Sequence, residues 1–146
     1  MTDQEQPGAD APLPMPADAR AGFVALIGAP NAGKSTLLNG LVGSHVAIVS
    51  PKVQTTRSRM TGICMAGNTQ IAFVDTPGIF APRRRLDRAM VAAAWTAIED
   101  SDAVVLVVDA ERAAKSRTHI DPESAEIVSG LKTRNVEAIL VLNKID

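Results

Sequence analysis

Tyrosine is absent from this 146-residue chain, and three Phe and one Trp are its only aromatic residues. A core must therefore be assembled from Val, Ile, Leu and Ala, the composition of a parallel sheet buried on both faces. Only one cysteine is present, Cys64, which excludes an internal disulfide, and no Cys/His spacing points to zinc. It lies in an apolar strand pattern and reads as a buried, inert thiol. Charge of either sign is nearly balanced, at −1 overall, so the chain as a whole carries no electrostatic footprint for nucleic acid. Apolar runs long enough to cross a bilayer are missing, as is a signal-peptide layout. The expectation is a soluble, cytoplasmic protein with one domain, or part of one.

The chain is uneven along its length. Residues 1–20 hold Pro7, Pro12, Pro14 and Pro16 among Asp, Gln and Ala. Such a stretch buries too little to offset its ordering entropy and is expected to be a disordered tail. Ordered structure is expected from about residue 21, with a first strand from Gly22 to Ile27. A helix carrying Leu37, Leu38, Leu41 and Val42 then ends near Gly43. His45 to Ser50 is apolar but interrupted by Pro51, and a polar segment from Lys52 to Arg59 follows. Met60–Met65 and Thr69–Val74 predict two strands of a hairpin across Ala66-Gly67-Asn68. Arg83-Arg84-Arg85 precedes a helix in which Leu86, Met90, Ala94 and Ile98 recur, with Val91 and Trp95 beside them as packing residues. Val104–Val108 predicts a strand ending at Asp109, Asp121-Pro122 a helix start, and Ala138–Leu142 a last strand. Strands alternating with helices predict an α/β fold: a mostly parallel sheet with one antiparallel hairpin strand and helices on both faces.

Between the first strand and its helix stands Gly28-Ala29-Pro30-Asn31-Ala32-Gly33-Lys34-Ser35-Thr36. It fits the phosphate-loop pattern G-x-x-x-x-G-K-[ST] in the strand–loop–helix setting that the loop requires. Backbone N–H groups at the helix start, aligned with its dipole, suit phosphate oxygens. Lys34 can reach the β- and γ-phosphates, and the Ser35 hydroxyl can ligate Mg²⁺.

Two further motifs fall at strand ends. Asp75-Thr76-Pro77-Gly78 offers a carboxylate for Mg²⁺, through water, and a Gly78 N–H that can sense the γ-phosphate. Asn143-Lys144-Ile145-Asp146 selects the base, because a carboxylate at Asp146 can accept both the N1–H and the exocyclic amine of guanine. Adenine would leave it unpaired. Asn143 can meet the N7 edge of the base or tie neighbouring loops together, and the Lys144 stem can lie across the ring. Ligands of open α/β sheets bind beyond the carboxyl ends of the strands, where all three motifs converge.

The motifs together resemble the translation-factor-like GTPases, and Ser50-Pro-Lys-Val-Gln-Thr-Thr-Arg-Ser-Arg59 before Met-Thr-Gly-Ile is similar to the Era family. Related tRNA-modifying and double-G-domain GTPases usually carry Asp where this chain has Ser58. The resemblance covers Gly22 to Asp146 and implies a P-loop G domain over residues 21–146. It implies that Gln54, Thr55, Thr56, Arg57 and Ser58 form a switch, with Thr56 or its neighbour Thr55 on Mg²⁺. Lys34, Thr56 and Gly78 would serve hydrolysis, and Asn31 is a candidate K⁺ ligand. Ile79 stands where many GTPases have a water-orienting Gln, so slow intrinsic hydrolysis, helped by K⁺ or a partner, is expected.

Family partners would be GTP and GDP, 16S rRNA and the small ribosomal subunit, and peripherally the inner face of the cell membrane. RNA contact in the family belongs mainly to a C-terminal KH domain. That domain, a Ser-Ala loop, a last strand and a last helix would all follow Asp146 in a full-length relative. The chain is thus expected to be an N-terminal portion, truncated after its fifth strand, with strand 138–142 at an unpaired apolar edge. Competing readings are an RNA-binding assembly module in which GTP is mainly a timer, and a P-loop kinase or ATPase. Arg57, Arg59, Arg83, Arg84, Arg85 and Arg88 support the former; the guanine motif argues against the latter.

Overall fold

Alternation along the β-branched runs decides the architecture. The computed structural model describes residues 16–43, 59–76 and 85–146. Strands β1 (Arg20–Gly28), β2 (Arg59–Ala66), β3 (Thr69–Asp75), β4 (Ala103–Asp109) and β5 (Ile139–Asn143) form one sheet in the order β2-β3-β1-β4-β5. β2 and β3 pair antiparallel across the Gly67–Asn68 turn, and the other pairs are parallel. Helices α1 (Lys34–Val42), α2 (Arg85–Glu99), α3 (Ala110–Lys115) and α4 (Pro122–Arg134) connect them. This is the expected fold class.

Successive strand side chains point to opposite faces, and here each face has its own apolar cluster. Ala25 and Ile27 of β1, with Val104, Leu106 and Val108 of β4, pack with Ala94, Trp95 and Ile98 of α2 and with Ile127 and Leu131 of α4. Leu26 and Val107 turn the other way and join Ala29, Ala32, Leu37 and Leu38 at the phosphate loop and α1. Cys64 is buried on β2, as expected. Between α2 and α4 the packing is close. A β-carbon on Gly130 would overlap the Trp95 ring, and the Arg134 guanidinium lies 4.3 Å from that ring's centroid while Arg134 also pairs with Glu99. Trp95 is thus a packing residue.

Several element ends shift by a residue, and three differences have a plain cause. β1 starts at Arg20, not Gly22, because Arg20 N–H donates to the Asn68 carbonyl of the hairpin turn, lengthening the ladder with β3. α3 has no counterpart in the sequence reading; the Asp109 carboxylate caps it by accepting the Arg112 N–H. β5 runs one residue further than expected, to Asn143, whose Cα partner is Asp109. The apolar edge itself is as expected: Ile139, Leu140 and Leu142 are all more than half exposed. Among the described residues, no helix is long and apolar enough to cross a membrane. The proposed tail up to residue 15, the run His45–Ser50, the switch residues Gln54–Ser58, the segment Pro77–Ile79, and Arg83 and Arg84 lie outside the described residues.

Candidate nucleotide site

Gly28, Asp75, Asp109 and Asn143 end four neighbouring strands, and the parallel strands among them deliver their loops to one edge of the sheet. The phosphate loop leaves β1 and enters α1 without a side-chain cap: Gly33 occupies the N-cap, and the first helical bond runs from Leu37 N–H to its carbonyl. The first-turn N–H groups of a helix have no acceptor within it, so such a start suits an acceptor from outside. Ala29 and Ala32 are buried and anchor the loop in the α1-side cluster, while Pro30, Asn31, Ser35 and Thr36 face outward. Lys34 folds over the loop, its Nζ donating to the carbonyls of Gly28 at 2.8 Å and Ala29 at 3.1 Å.

The base motif is built onto this loop directly. Asn143 Nδ2 donates to the Ala32 carbonyl at 2.9 Å, and Lys144 Nζ donates to the Asn31 carbonyl at 2.8 Å. Of the two roles open to Asn143, the structure shows the tying of loops. Gly33 is the residue that admits this contact. It sits at φ 97°, and a β-carbon there would overlap the Asn143 amide nitrogen. The loop's second glycine is therefore required by the base motif as well as by the bending of its own backbone.

Two non-glycine residues on either side of the junction adopt left-handed backbone, Asn31 at φ 62° and Lys144 at φ 57°. Such conformations cost roughly 1–2 kcal/mol and persist where surrounding contacts hold them. The Lys144 ammonium supplies the contact, because it also pairs with Asp109 Oδ2 at 2.7 Å. That hydrogen bond, then the one from Arg112 N–H, holds the Asp109 carboxyl below the usual carboxylate range. Sequence reasoning gave Asp109 no role beyond ending β4. The available signal was Asp109-Ala110-Glu111-Arg112, an N-cap residue before helix formers.

Other proposed site residues are placed less centrally. The Thr76 side chain is buried and turns inward, its hydroxyl donating to the Leu26 carbonyl at 3.4 Å, so it ties the end of β3 to β1. Ile145 is 79% exposed, and Asp146 is exposed beside it. Among the described residues no group of three or more His, Cys, Asp or Glu could hold a metal ion. Ser35 lies exposed in the first turn of α1.

Comparison with known proteins gives the same picture. A family model described as 50S ribosome-binding GTPase matches residues 23–144. GTPase Era of Agrobacterium fabrum is 54% identical over 149 aligned positions, which cover 100% of this chain and 44% of that protein. A crystal structure of an Aquifex aeolicus Era variant bound to GDP and AlF4− matches with a TM-score of 0.63 and 40% identity, covering 87% of this chain and 42% of that one. Era in complex with MgGDPNP and nucleotides 1506–1542 of 16S ribosomal RNA matches with a TM-score of 0.64 and 41% identity, over 88% and 42% of the two chains. This chain spans less than half the length of these relatives. With the phosphate loop, the sheet and the start of the base motif inside the matched span, the chain belongs to the 50S ribosome-binding GTPase family.

Proposed function

We propose that this chain is the nucleotide switch of an Era-type GTPase, which binds GTP, hydrolyses it to GDP and phosphate, and so times 16S rRNA binding and small-subunit assembly. The observation that carries this is the junction of Asn143 and Lys144 with Ala32 and Asn31, which makes the phosphate and base motifs one rigid unit. Separate surface turns would not share carbonyls in this way. The likeness to Era solved with a GTP analogue and with 16S rRNA supports the same reading.

In this mechanism the loop from Gly28 to Thr36 wraps the phosphates, and Lys34 exchanges its two loop carbonyls for β- and γ-phosphate oxygens. Ser35, Thr56 and, through water, Asp75 would hold Mg²⁺, which neutralises charge on the β- and γ-oxygens when bound. Water attacks the γ-phosphorus in line as the bond to the β-γ bridging oxygen breaks. The Gly78 N–H follows the γ-phosphate, and its departure releases the segments Lys52–Arg59 and Ile79–Arg88. Ile79 cannot orient the water. Hydrolysis is therefore slow without help, and Asn31 is our candidate ligand for an assisting K⁺. Asp146 reads guanine. We place the protein in the cytoplasm, peripheral to the inner face of the membrane, with rRNA as its partner.

Binding of fluorescently labelled GDP and GTP to the full chain tests the reading. Lys34→Ala should abolish binding without unfolding the chain. Asp146→Asn should move preference from guanine to xanthine nucleotides, whose extra carbonyl accepts from the new amide. Wild-type affinity in the first variant, or unchanged guanine selectivity in the second, would overturn it.

A further inference from the structure

The carboxylate of Asp109 stands between two halves of the site and belongs to none of its recognised motifs. We propose that Asp109 is a positioning residue of the base-recognition loop: it pins Lys144 over the phosphate loop and so sets how long a bound guanine nucleotide is retained. This rests on reading the loop as a nucleotide site.

The geometry gives each carboxylate oxygen its own task. Oδ1 accepts the Arg112 N–H at 2.9 Å and starts α3; Oδ2 accepts from Lys144 Nζ at 2.7 Å. The same ammonium reaches the Asn31 carbonyl at 2.8 Å. One cation thus bridges β4, the loop after β5 and the loop after β1. Asp109 and Asn143 are register partners at the ends of β4 and β5, so the carboxylate sits level with the motif it supports.

The carboxylate is the more shielded partner of the pair. The Asp109 side chain is only 13% exposed, although that of Lys144 is 41% exposed. Its energetic task is also specific. Lys144 and Asn31 both hold left-handed backbone, and the shared ammonium constrains both from one point. Without Oδ2, Lys144 keeps one fixed contact instead of two, and its backbone is freer to leave the left-handed region. The loop carrying Asp146 then loses its alignment with the phosphates.

Asp109→Asn separates the two tasks. Its amide oxygen still caps α3, since Asn is as good an N-cap as Asp, but its NH₂ cannot accept from an ammonium. In the full chain we expect labelled GDP and GTP to dissociate roughly 3- to 10-fold faster, the range for losing one partly shielded charge-assisted hydrogen bond. The nucleotide-free thermal midpoint should fall only by the small worth of one partly exposed ion pair, and Asp109→Glu should recover part of the retention. In a Lys144→Met background the same Asp109→Asn change should have no further effect. Asp109→Ser, which also keeps a cap acceptor, gives the same readout should the amide variant fold poorly. Wild-type dissociation in Asp109→Asn or Asp109→Ser, or an equal effect with Lys144 already removed, would overturn the positioning role alone. Failure of wild type itself to bind guanine nucleotides would overturn the site reading and this inference together.

Discussion

Gly33→Ala tests most directly whether phosphate loop and base motif are one structure. The change adds a single methyl, yet two costs follow. Ala at φ 97° occupies backbone that disfavours any β-carbon, at about 1–2 kcal/mol. The new carbon also overlaps Asn143 Nδ2, so the amide must swing away and give up its bond to the Ala32 carbonyl. Losing that hydrogen bond costs a further ~0.5–1.5 kcal/mol. The sum, roughly 1.5–3.5 kcal/mol, corresponds to a fall of about 5–12 °C in the thermal midpoint for a domain of this size. Thermal denaturation with and without GDP reads both consequences. The midpoint falls, and the stabilisation by GDP, which scales as the logarithm of ligand concentration over Kd, shrinks as the base motif is displaced. A double-mutant cycle isolates the collision. With Asn143→Ala already in place there is nothing to strike, so Gly33→Ala should then cost only its backbone share. Costs that add to within ~0.5 kcal/mol would refute the argument, as would a Gly33→Ala chain with wild-type midpoint and GDP shift.

Gly130→Ala should destabilise by about 1–3 kcal/mol in urea denaturation, because its methyl overlaps the Trp95 ring and the core must shift to admit it. Combined with Trp95→Phe, which removes the overlapped ring atoms, it should cost clearly less than the two changes summed. Asp121→Ala should cost ~1–2 kcal/mol by removing the cap that accepts the Ser124 N–H at the start of α4. Acid should act through Asp109. Its carboxyl is held low by Lys144, so that contribution is fully present above the ordinary carboxylate pKa and fades as pH falls through the lower folded value. Urea midpoints taken from about pH 5 downward should therefore fall less steeply in Asp109→Asn than in wild type.

Much of this arrangement was legible in the residues because local chemistry and tertiary structure agree. The continuous run Val104–Val108 read as a buried strand, and it is one; the Pro122 start and the recurring apolar positions of α4 fell where expected. The phosphate-loop and Asn143–Asp146 motifs each follow a strand ending at one edge of the sheet, as the same alternation implied, and β3 ends there at Asp75. What escaped were contacts between residues distant in sequence. Gly33 reads as a glycine for phosphate, and nothing local says that an amide 110 positions later needs the room. Asp109 reads as the end of a strand because the lysine that gives it purpose lies on another loop. Thr76, counted with the nucleotide residues, turns its hydroxyl into β1, a direction that only the register of β1 and β3 determines. α3 was missed for a different reason. Six residues carry too little periodicity to announce a helix, and the aspartate that starts it was already spoken for by β4.

The packing of Trp95 against Gly130 and beneath Arg134 also has an optical side. With no tyrosine and no second tryptophan in the chain, its ultraviolet emission comes from one indole set in the seam between α2 and α4. Light emitted by this protein therefore reports on one interface. Parting of the two helices would redden the spectrum while the sheet, followed by circular dichroism, still stood. The two signals would then give different midpoints on heating. Coincident midpoints would mean that the seam and the sheet come apart as a single unit.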